Sequence, residues 1–250
     1  MDLGLQGARC ILAGGSRGIG LATAKVLVAE GARVAICGRD DDVVATALAE
    51  LGSSASGRGV DVRNVEAYRA WLKESAEGLD GCDIFIPFAS AGPTPQDATG
   101  WQASLEVDLL AFDYGIEALL PWLERSDRAS VVAIASTAAV ENPMQAPSYA
   151  SMKAALIVDA AAHAQMHAAK RIRVNSVSPG PVQFAGGIWD VIEEADPAFY
   201  AATRAQIPTG RMGLAEELAR LIAFVASPAC RYMTGSNIVA DGGLTRRVGF

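Results

Sequence analysis

The chain has 250 residues, of which 51% are hydrophobic and 20% charged, and its formal net charge is −7 at pH 7. This composition is typical of a well-packed globular protein and excludes a largely disordered one. The length suits a single α/β domain, which we expect to span residues 1–250. The negative charge and the absence of a Lys/Arg run disfavour nucleic acid as a partner, so a small molecule is expected.

The N-terminal segment lacks the basic and apolar stretches of a secretory signal, and the sequence has no run of about 18 apolar residues that would span a membrane. We therefore expect a cytoplasmic protein with no membrane partner. The four cysteines are far apart and lack the paired spacing of zinc or redox motifs, so they are expected as reduced thiols in or near the core. They are Cys10, Cys37, Cys82 and Cys230.

Short apolar, β-branched runs alternate with longer segments of helical periodicity. This alternation predicts a parallel sheet with crossover helices on both faces, a Rossmann-type doubly wound α/β sandwich of three layers. Strands are predicted at 9–13, 33–37, 83–87, 130–135, 173–177 and 238–240, and a third strand ending before Asp61 brings the count to seven. Helices are predicted at 19–30, 43–51, 101–123, 149–169 and 216–226.

A glycine-rich turn joins the first strand to the first helix. Glycines let the backbone turn tightly and approach a pyrophosphate, while the free amides and dipole of a helix N-terminus favour an anion. Tight turns also use glycine for steric reasons alone, but the position between strand and helix favours dinucleotide binding. The turn reads Ala13-Gly14-Gly15-Ser16-Arg17-Gly18-Ile19-Gly20.

The end of the second strand predicts which dinucleotide is bound. An acidic residue there accepts a hydrogen bond from the 2′-hydroxyl of NAD, whereas arginine accommodates the 2′-phosphate of NADP. Here the strand ends in Gly38-Arg39, and Arg17 in the glycine turn can add a second guanidinium. NADP(H) is therefore favoured over NAD(H). Alternatively, both arginines are ordinary surface charges, and residues 40–42, all aspartate, weaken the local positive field.

Tyr149 and Lys153 lie one helical turn apart and within mutual reach. A neighbouring ammonium stabilises the phenolate, so the pair makes a usable acid and base. A Tyr/Lys pair at this spacing is common by chance. Ser136, however, follows the fifth strand, where a hydroxyl faces the ligand crevice of a parallel sheet.

The segment 183–208 does not follow the alternation of strand-like and helical segments seen in the rest of the sequence. It follows Pro179-Gly180-Pro181 and contains Gly186-Gly187 and several aromatic residues. Because it lies between the last two crossovers, we expect a substrate lid, with an irregular surface excursion as the alternative.

Over essentially its whole length the sequence resembles the short-chain dehydrogenase/reductase family, in which serine, tyrosine and lysine stand in this order and spacing. The resemblance implies a hydride-transferring enzyme that interconverts a ketone and a secondary alcohol. The matching motifs are the glycine turn, Tyr149-x-x-x-Lys153, Asp61-Val62, Arg173-Val174-Asn175 leading to Pro179-Gly180, Thr234-Gly235, and Asp241-Gly242-Gly243.

The resemblance also implies a role for each matching residue. Tyr149 would donate a proton to the carbonyl oxygen, Ser136 would hydrogen-bond that oxygen, and Lys153 would hold the nicotinamide ribose. Further cofactor contacts are implied for Asp61 and Val62 at the adenine, and for Pro179, Gly180 and Val182 at the nicotinamide.

The sequence departs from the family pattern in three places. The usual N-N-A-G reads Ala89-Ser90-Ala91-Gly92, which keeps in Ala91 and Gly92 the small residues that let the cofactor approach. The asparagine that supports a water leading to the lysine falls on Asp108. If ionised, Asp108 would pair with Lys153, weaken its field at Tyr149 and shift the pH optimum, unless the side chain points elsewhere. Phe184 replaces a threonine that contacts the nicotinamide carboxamide.

The helix that begins at Tyr149 is rich in alanine, which permits close approach of another helix, although helix propensity also explains it. In the family this helix and the one with Asp108 form a subunit interface, so a homo-oligomer, often a tetramer, is expected. His163 and His167 share one helical face. We interpret them as surface or interface residues, and predict no metal site, because carboxylate and cysteine partners are lacking.

The substrate is predicted to be a largely apolar carbonyl or alcohol, although each pocket residue has a core-packing alternative. A 3-oxoacyl-thioester reductase is mildly disfavoured because no basic cluster marks a face for an acidic carrier protein. A cofactor-binding regulatory protein is the remaining alternative. The pocket candidates are Ile188, Trp189, Phe199 and Tyr200, with Pro93, Pro95, Met144 and Gln145 in neighbouring loops.

Overall fold

The computed structural model describes residues 1–92, 95–141 and 146–246. Within these ranges, seven parallel strands form one sheet in the order β3-β2-β1-β4-β5-β6-β9, which confirms the predicted Rossmann-type architecture. The strands of this sheet are β1 (Arg9–Ala13), β2 (Arg33–Gly38), β3 (Ala55–Gly59), β4 (Ile84–Pro87), β5 (Ser130–Ile134), β6 (Arg173–Pro179) and β9 (Asn237–Ala240).

The strand order reverses at β1, which pairs with β2 on one side and with β4 on the other. In open parallel sheets, ligands bind in the crevice beyond the carboxyl ends of the strands at such a reversal. The sheet therefore brings the segments that follow β1 and β4 together at its carboxyl edge.

Helices cover both faces of the sheet, as predicted. Alternate residues of β1 show the division: Ile11 packs toward α3, α5 and α6, whereas Leu12 packs toward α1, α2 and α9. Nearly every strand residue of β1, β4 and β5 is buried, as expected for a sheet covered on both sides. The helices are α1 (Gly18–Ala29), α2 (Asp41–Leu51), α3 (Val65–Gly78), α4 (Ala98–Ser104), α5 (Ala111–Leu123), α6 (Pro147–His167), α7 (Ile188–Ala195), α8 (Pro197–Gln206) and α9 (Ala215–Ala226).

The crossover between β3 and β4 was not delimited from the sequence. Edge strand β3 contains two glycines and alternates between half-buried and exposed positions, so it lacks the apolar run of a central strand. Helix α3 starts where the Asn64 side chain accepts a hydrogen bond from the amide of Ala67, and it buries Tyr68, Trp71 and Leu72.

The predicted helix 101–123 begins earlier and is not uniform. Helix α4 continues through a π-helical turn, Leu105–Leu110, into α5. π-Helical turns shift the register of a helix and occur frequently at functional sites. This turn carries Asp108, whose side chain it directs into the protein.

The segment 183–208 is folded, so the alternative of an irregular excursion is wrong. It contains α7 and α8, and the two short strands β7 (Val182–Gln183) and β8 (Gly213–Leu214) pair beside it. Trp189, Tyr200, Ile207 and Met212 form a small core of their own. Tyr200 is therefore a packing residue, and its hydroxyl donates a hydrogen bond to Gln183.

All four cysteines are buried free thiols, as expected. Burial raises the pKa of the Cys37 thiol to about 12, so this group beneath the glycine turn stays uncharged at neutral pH. None of the helices within the described residues is long and apolar enough to cross a membrane.

Candidate active site

A cavity of about 1160 Å³ opens at the carboxyl edge of the sheet. Its walls are the segments that follow β1 to β6, and the helices α7 and α8 border one end. Every predicted site residue lines it except Gly18 and Asp108. Gly18 lies beneath the ring of Phe184, and Asp108 lies behind Lys153. The lining site residues are Gly14, Ser16, Arg17, Ile19, Gly20, Arg39, Asp61, Val62, Ala91, Gly92, Ser136, Tyr149, Lys153, Pro179, Gly180 and Val182.

The glycine turn is shaped by close backbone approach. Gly14 has φ +82°, and a Cβ there would lie 2.5 Å from the backbone nitrogen of Ala89. A Cβ on Gly20 would lie 2.3 Å from the carbonyl oxygen of Gly14. Helix α1 begins directly after Arg17 and has no side-chain cap, so its first amides are available to an anion. The turn thus fits a pyrophosphate cradle.

Arg17 and Arg39 are exposed and border the same end of the cavity. Two of the three neighbouring carboxylates bind backbone amides: Asp40 caps α2 by accepting from the amides of Asp42 and Val43, and Asp41 accepts from the amide of Gly59 at 2.6 Å. The two guanidinium groups are therefore available for a phosphate.

The Ser16 hydroxyl fills the space beside Gly38. A Cβ on Gly38 would lie 2.3 Å from Ser16 Oγ, so no side chain fits at this position without displacing Ser16. An acidic side chain at position 38 would therefore require the Ser16 side chain to move.

Arg63 also lines this end of the cavity, although no sequence motif singles it out. It binds the Asp61 carboxylate through its Nε and Nη2 atoms, with a shortest distance of 2.6 Å. This hydrogen bonding lowers the pKa of Asp61 below its ordinary value. Asp61 is thus an ionised acceptor at the cavity wall.

Of the four predicted catalytic residues, Asp108 lies on the π-helical turn. Ser136, Tyr149 and Lys153 lie on the loop after β5 and the first turns of α6. Lys153 Nζ donates to the carbonyl oxygen of Ile134 at 2.8 Å and lies 5.8 Å from the centre of the Tyr149 ring. Ser136 Oγ accepts from the amide of Ala138 at 3.1 Å, which leaves the hydroxyl proton to donate to another group. Pro147 at the first position of α6 starts the helix two residues before Tyr149.

Comparison with known proteins identifies this arrangement. Residues 13–245 match a family model described as enoyl-(acyl carrier protein) reductase. A structure of a short-chain type dehydrogenase/reductase from Mycobacterium marinum is 30% identical, with a TM-score of 0.87 and 98% of both chains covered. The chain belongs to the short-chain dehydrogenase/reductase family.

Two relatives of this short-chain dehydrogenase/reductase have different named activities. Isoepoxydon dehydrogenase from Penicillium expansum is 32% identical over 98% of this chain and 97% of that protein. A 3-oxoacyl-[acyl-carrier-protein] reductase from Chlamydia pneumoniae is 30% identical over 98% of this chain and its own full length. The present chain is accordingly an NAD(P)-dependent oxidoreductase, as expected from its motifs.

Asp108 is the principal departure from the family pattern. Its Oδ1 lies 3.0 Å from Lys153 Nζ, and its Oδ2 accepts from the amide of Ala91 at 3.2 Å. The side chains of Asp108 and Lys153 are 0% and 4% exposed, so the pair is shielded from solvent. The alternative in which Asp108 points elsewhere is wrong, because the π-helical turn directs it at the lysine.

Phe184 replaces the family's threonine with a packing contact. A Cβ on Gly18 would lie 2.7 Å from the Phe184 ring, and one on Gly187 would lie 2.9 Å from it. The ring is therefore held between the glycine turn and the start of α7. It joins the glycine turn to residues 183–208 through an apolar contact rather than a hydroxyl.

The far end of the cavity is mainly apolar. Ile188, Trp189 and Phe199 line it as predicted, whereas Pro95 is not among its lining residues. Trp189 and Phe199 stack with their ring centres 6.2 Å apart. Pro93, Met144 and Gln145 lie outside the described residues. The predictions missed Thr203 and Gln206, polar lining residues whose helical spacing from Phe199 places all three on one face of α8.

His163 and His167 lie outside this cavity. The expectation that they lack carboxylate partners is wrong. Asp113, fifty positions earlier on α5, lies 2.8 Å from His163, and Asp159 stands one turn earlier on α6. The packing of α5 against α6 brings Asp113 there, which no spacing along the chain would reveal.

Proposed function

We propose that this short-chain dehydrogenase/reductase uses NADP(H) to interconvert a ketone and a secondary alcohol, with Tyr149 as acid and base. The observation that carries the proposal is the common cavity, in which Tyr149, Lys153 and Ser136 face the glycine turn across the sheet edge. When bound, the nicotinamide supplies the hydride. The side chains of this chain supply binding, orientation and the proton.

The glycine turn supports a pyrophosphate site because Gly14 and Gly20 permit close backbone packing and α1 begins with no side-chain cap on its first amides. Preference for NADP(H) is supported by the guanidinium groups of Arg17 and Arg39 at the cavity wall, and by the close contact that an acidic side chain at Gly38 would make with Ser16. The remaining predicted contacts are Ile19, Asp61, Val62, Ala91, Gly92, Pro179, Gly180 and Val182, all on the cavity wall.

In the reducing direction the Tyr149 hydroxyl donates its proton to the carbonyl oxygen, and the Ser136 hydroxyl donates a hydrogen bond to the same oxygen. Lys153 is held in place by Ile134 and Asp108, and its ammonium stabilises the phenolate that remains. In the oxidising direction the same phenolate accepts the alcohol proton.

We infer a largely apolar ketone or alcohol as the substrate, because aromatic and aliphatic side chains of α7 and α8 line the far end of the cavity. We propose that residues 183–208 act as a lid over this end of one domain spanning residues 1–250. We also propose a cytoplasmic homo-oligomer, a dimer or tetramer, in keeping with the family resemblance.

The test is a steady-state screen that follows the absorbance of the reduced nicotinamide. Aliphatic and cyclic ketones, their alcohols and a 3-oxoacyl thioester would each be offered with NADPH and with NADH. Turnover of ketones with NADPH supports the proposal. Preference for the thioester would instead identify the chain as a 3-oxoacyl-thioester reductase. Cofactor binding without turnover of any substrate would instead favour a regulatory role.

A further inference from the structure

Helix α8 presents two neutral polar side chains to the cavity. Phe199, Thr203 and Gln206 all line it, and their spacing of four and three residues places them on one face of the helix. At 1.5 Å per residue, Thr203 lies about 6 Å and Gln206 about 10 Å beyond Phe199 along the helix axis. The aromatic ring at the far end of the cavity is therefore followed along α8 by a hydroxyl and then by an amide.

The surroundings of these two polar side chains are apolar. Thr203 and Gln206 are the only polar residues that α7 and α8, all of whose residues are described, contribute to the cavity wall. A pocket lined mainly by apolar side chains takes its specificity from the few polar groups placed in it. The apolar residues that these helices contribute are Ile188, Trp189, Val191 and Phe199.

The charged residues of α7 and α8 do not line the cavity. Gln183 Nε2 donates to Asp190 Oδ1 at 3.3 Å and to Glu193 Oε2 at 2.6 Å. The guanidinium of Arg204 lies 5.9 Å from the centre of the Tyr200 ring. The two helices therefore offer no cation to a substrate carboxylate or phosphate, and the group that they recognise is neutral.

The hydrogen bonds already made by α8 decide the chemistry of that group. The Thr203 hydroxyl donates its proton to the carbonyl oxygen of Phe199 at 2.9 Å, so its oxygen is left to accept. The exposed Gln206 amide lies 3.4 Å from the carbonyl oxygen of Ala202, a long contact, and it can both donate and accept. A partner that satisfies both side chains must donate to Thr203 and can accept from Gln206. A hydroxyl group does both.

We propose that Thr203 and Gln206 recognise a neutral hydroxyl on the substrate, separate from the reacting carbonyl, so that hydroxylated ketones and the corresponding diols are preferred. The inference rests on the proposed function and narrows its substrate class. An apolar substituent in the same place would displace water from both side chains without replacing its hydrogen bonds. A carboxylate there would meet the Thr203 oxygen with a second acceptor.

The test compares matched ketones with NADPH in steady-state assays. The pairs are 4-hydroxycyclohexanone with 4-methylcyclohexanone, and linear ketones of equal length that end in a hydroxyl or a methyl group; 4-oxocyclohexanecarboxylate tests the effect of charge. We expect the hydroxylated ketone to have the higher kcat/KM and the carboxylate the lowest. Thr203→Val and Gln206→Met should each lower the ratio of hydroxylated to methylated substrate by about 2- to 12-fold, as the loss of one hydrogen bond would.

The loss should appear in the KM of the hydroxylated ketone, because the contact is present in the bound substrate as well as in the transition state. Thr46→Val is the matched control. Its hydroxyl makes the same kind of bond, to the carbonyl oxygen of Asp42 at 2.9 Å, but lies on α2 outside the cavity lining, so the ratio should equal that of wild type. Tm establishes that each variant is folded.

The outcomes separate this inference from the proposed function. Ketone turnover with equal kcat/KM in every pair would overturn the inference alone, as would preference for the carboxylate. A ratio unchanged in both Thr203→Val and Gln206→Met would overturn it in the same way. Absence of turnover of every ketone by the wild type would overturn the proposed function and this inference together.

Discussion

The ammonium of Lys153 lies 3.0 Å from Oδ1 of Asp108, in a pair that is shielded from solvent. Lys153 also donates to Ile134, so its position is fixed from two sides. The carboxylate opposes the field that the ammonium exerts at Tyr149, because opposite charges at this distance largely cancel beyond the pair. Tyr149, the proposed proton donor, thus lies beside an ion pair rather than beside an isolated ammonium.

Replacing Asp108 with asparagine should move the pH profile. Asp108→Asn removes the opposing charge, so the ammonium stabilises the Tyr149 phenolate more strongly and the profile of alcohol oxidation shifts to lower pH, by roughly one unit. The measurement is kcat against pH for both proteins. Asp127→Asn, at a carboxylate that is 84% exposed and outside the cavity lining, is the control. Superimposable profiles for wild type and Asp108→Asn would contradict this role.

Tyr149→Phe should remove the proton donor and keep the ring. We expect kcat to fall by about 10²- to 10⁴-fold, the usual contribution of general acid catalysis, with little change in NADPH affinity. Stopped assays over long times would measure the residual rate, and fluorescence titration would measure cofactor binding. Tyr232→Phe, at a fully exposed tyrosine, is the control. Near-normal turnover in Tyr149→Phe would exclude Tyr149 as the acid.

Arg39→Asp should shift cofactor preference toward NAD(H). The substitution would remove the exposed guanidinium from the proposed 2′-phosphate site. A charged hydrogen bond of this kind contributes about 1.5–3 kcal/mol, or roughly 10- to 150-fold in NADPH affinity. The ratio of kcat/KM for the two cofactors measures the effect. Arg58→Asp, at an arginine paired with Glu74 and outside the cavity lining, should leave the ratio unchanged. If the ratio of kcat/KM for the two cofactors is unaltered in Arg39→Asp, Arg39 does not bind the 2′-phosphate.

Gly38→Asp should weaken both cofactors, although it supplies the acidic residue typical of NAD binding. The new Cβ would lie 2.3 Å from Ser16 Oγ and distort the glycine turn. Overpacking of this kind costs about 1–3 kcal/mol, equivalent to about 5- to 150-fold in affinity. Adding Ser16→Gly should restore room and favour NADH. The packing argument fails if Gly38→Asp alone binds NADH more tightly than wild type does.

The sequence allowed the sheet and most helices to be predicted, and all but two of the predicted site residues line the cavity, because strand ends converge at one edge. The sequence shows that Asp108 departs from the family pattern. That its side chain points at Lys153 depends on the π-helical turn, which helical periodicity does not reveal. The position of Phe184 over Gly18 depends likewise on how α7 is placed. Contacts between distant elements, such as Asp113 with His163, leave no local pattern.

Asp83 illustrates the same limit in the core, and it makes a prediction about stability. Its fully buried carboxylate accepts from the Arg9 side chain at 2.6 Å and from the Ser126 hydroxyl at 2.6 Å. Burial alone raises the pKa of Asp83, but hydrogen bonds from Arg9 and Ser126 outweigh it and hold the pKa below its ordinary value. The ionised form is therefore more favourable in the folded chain than in the unfolded one.

Because the folded-state pKa of Asp83 is depressed, its contribution is fully present above the unfolded pKa of about 3.9 and is lost as pH falls through the folded value. Asp83→Asn should lower the free energy of unfolding at pH 7 by about 3–5 kcal/mol, since it leaves Arg9 without its buried partner. Urea unfolding of both proteins at pH 7 and at pH values below the ordinary aspartate pKa measures the difference, which should shrink in acid. Asp127→Asn removes a carboxylate that is 84% exposed beside Arg128 and should change stability little. A difference between Asp83→Asn and wild type that stays constant with pH would show that shape, not charge, is what Asp83 contributes.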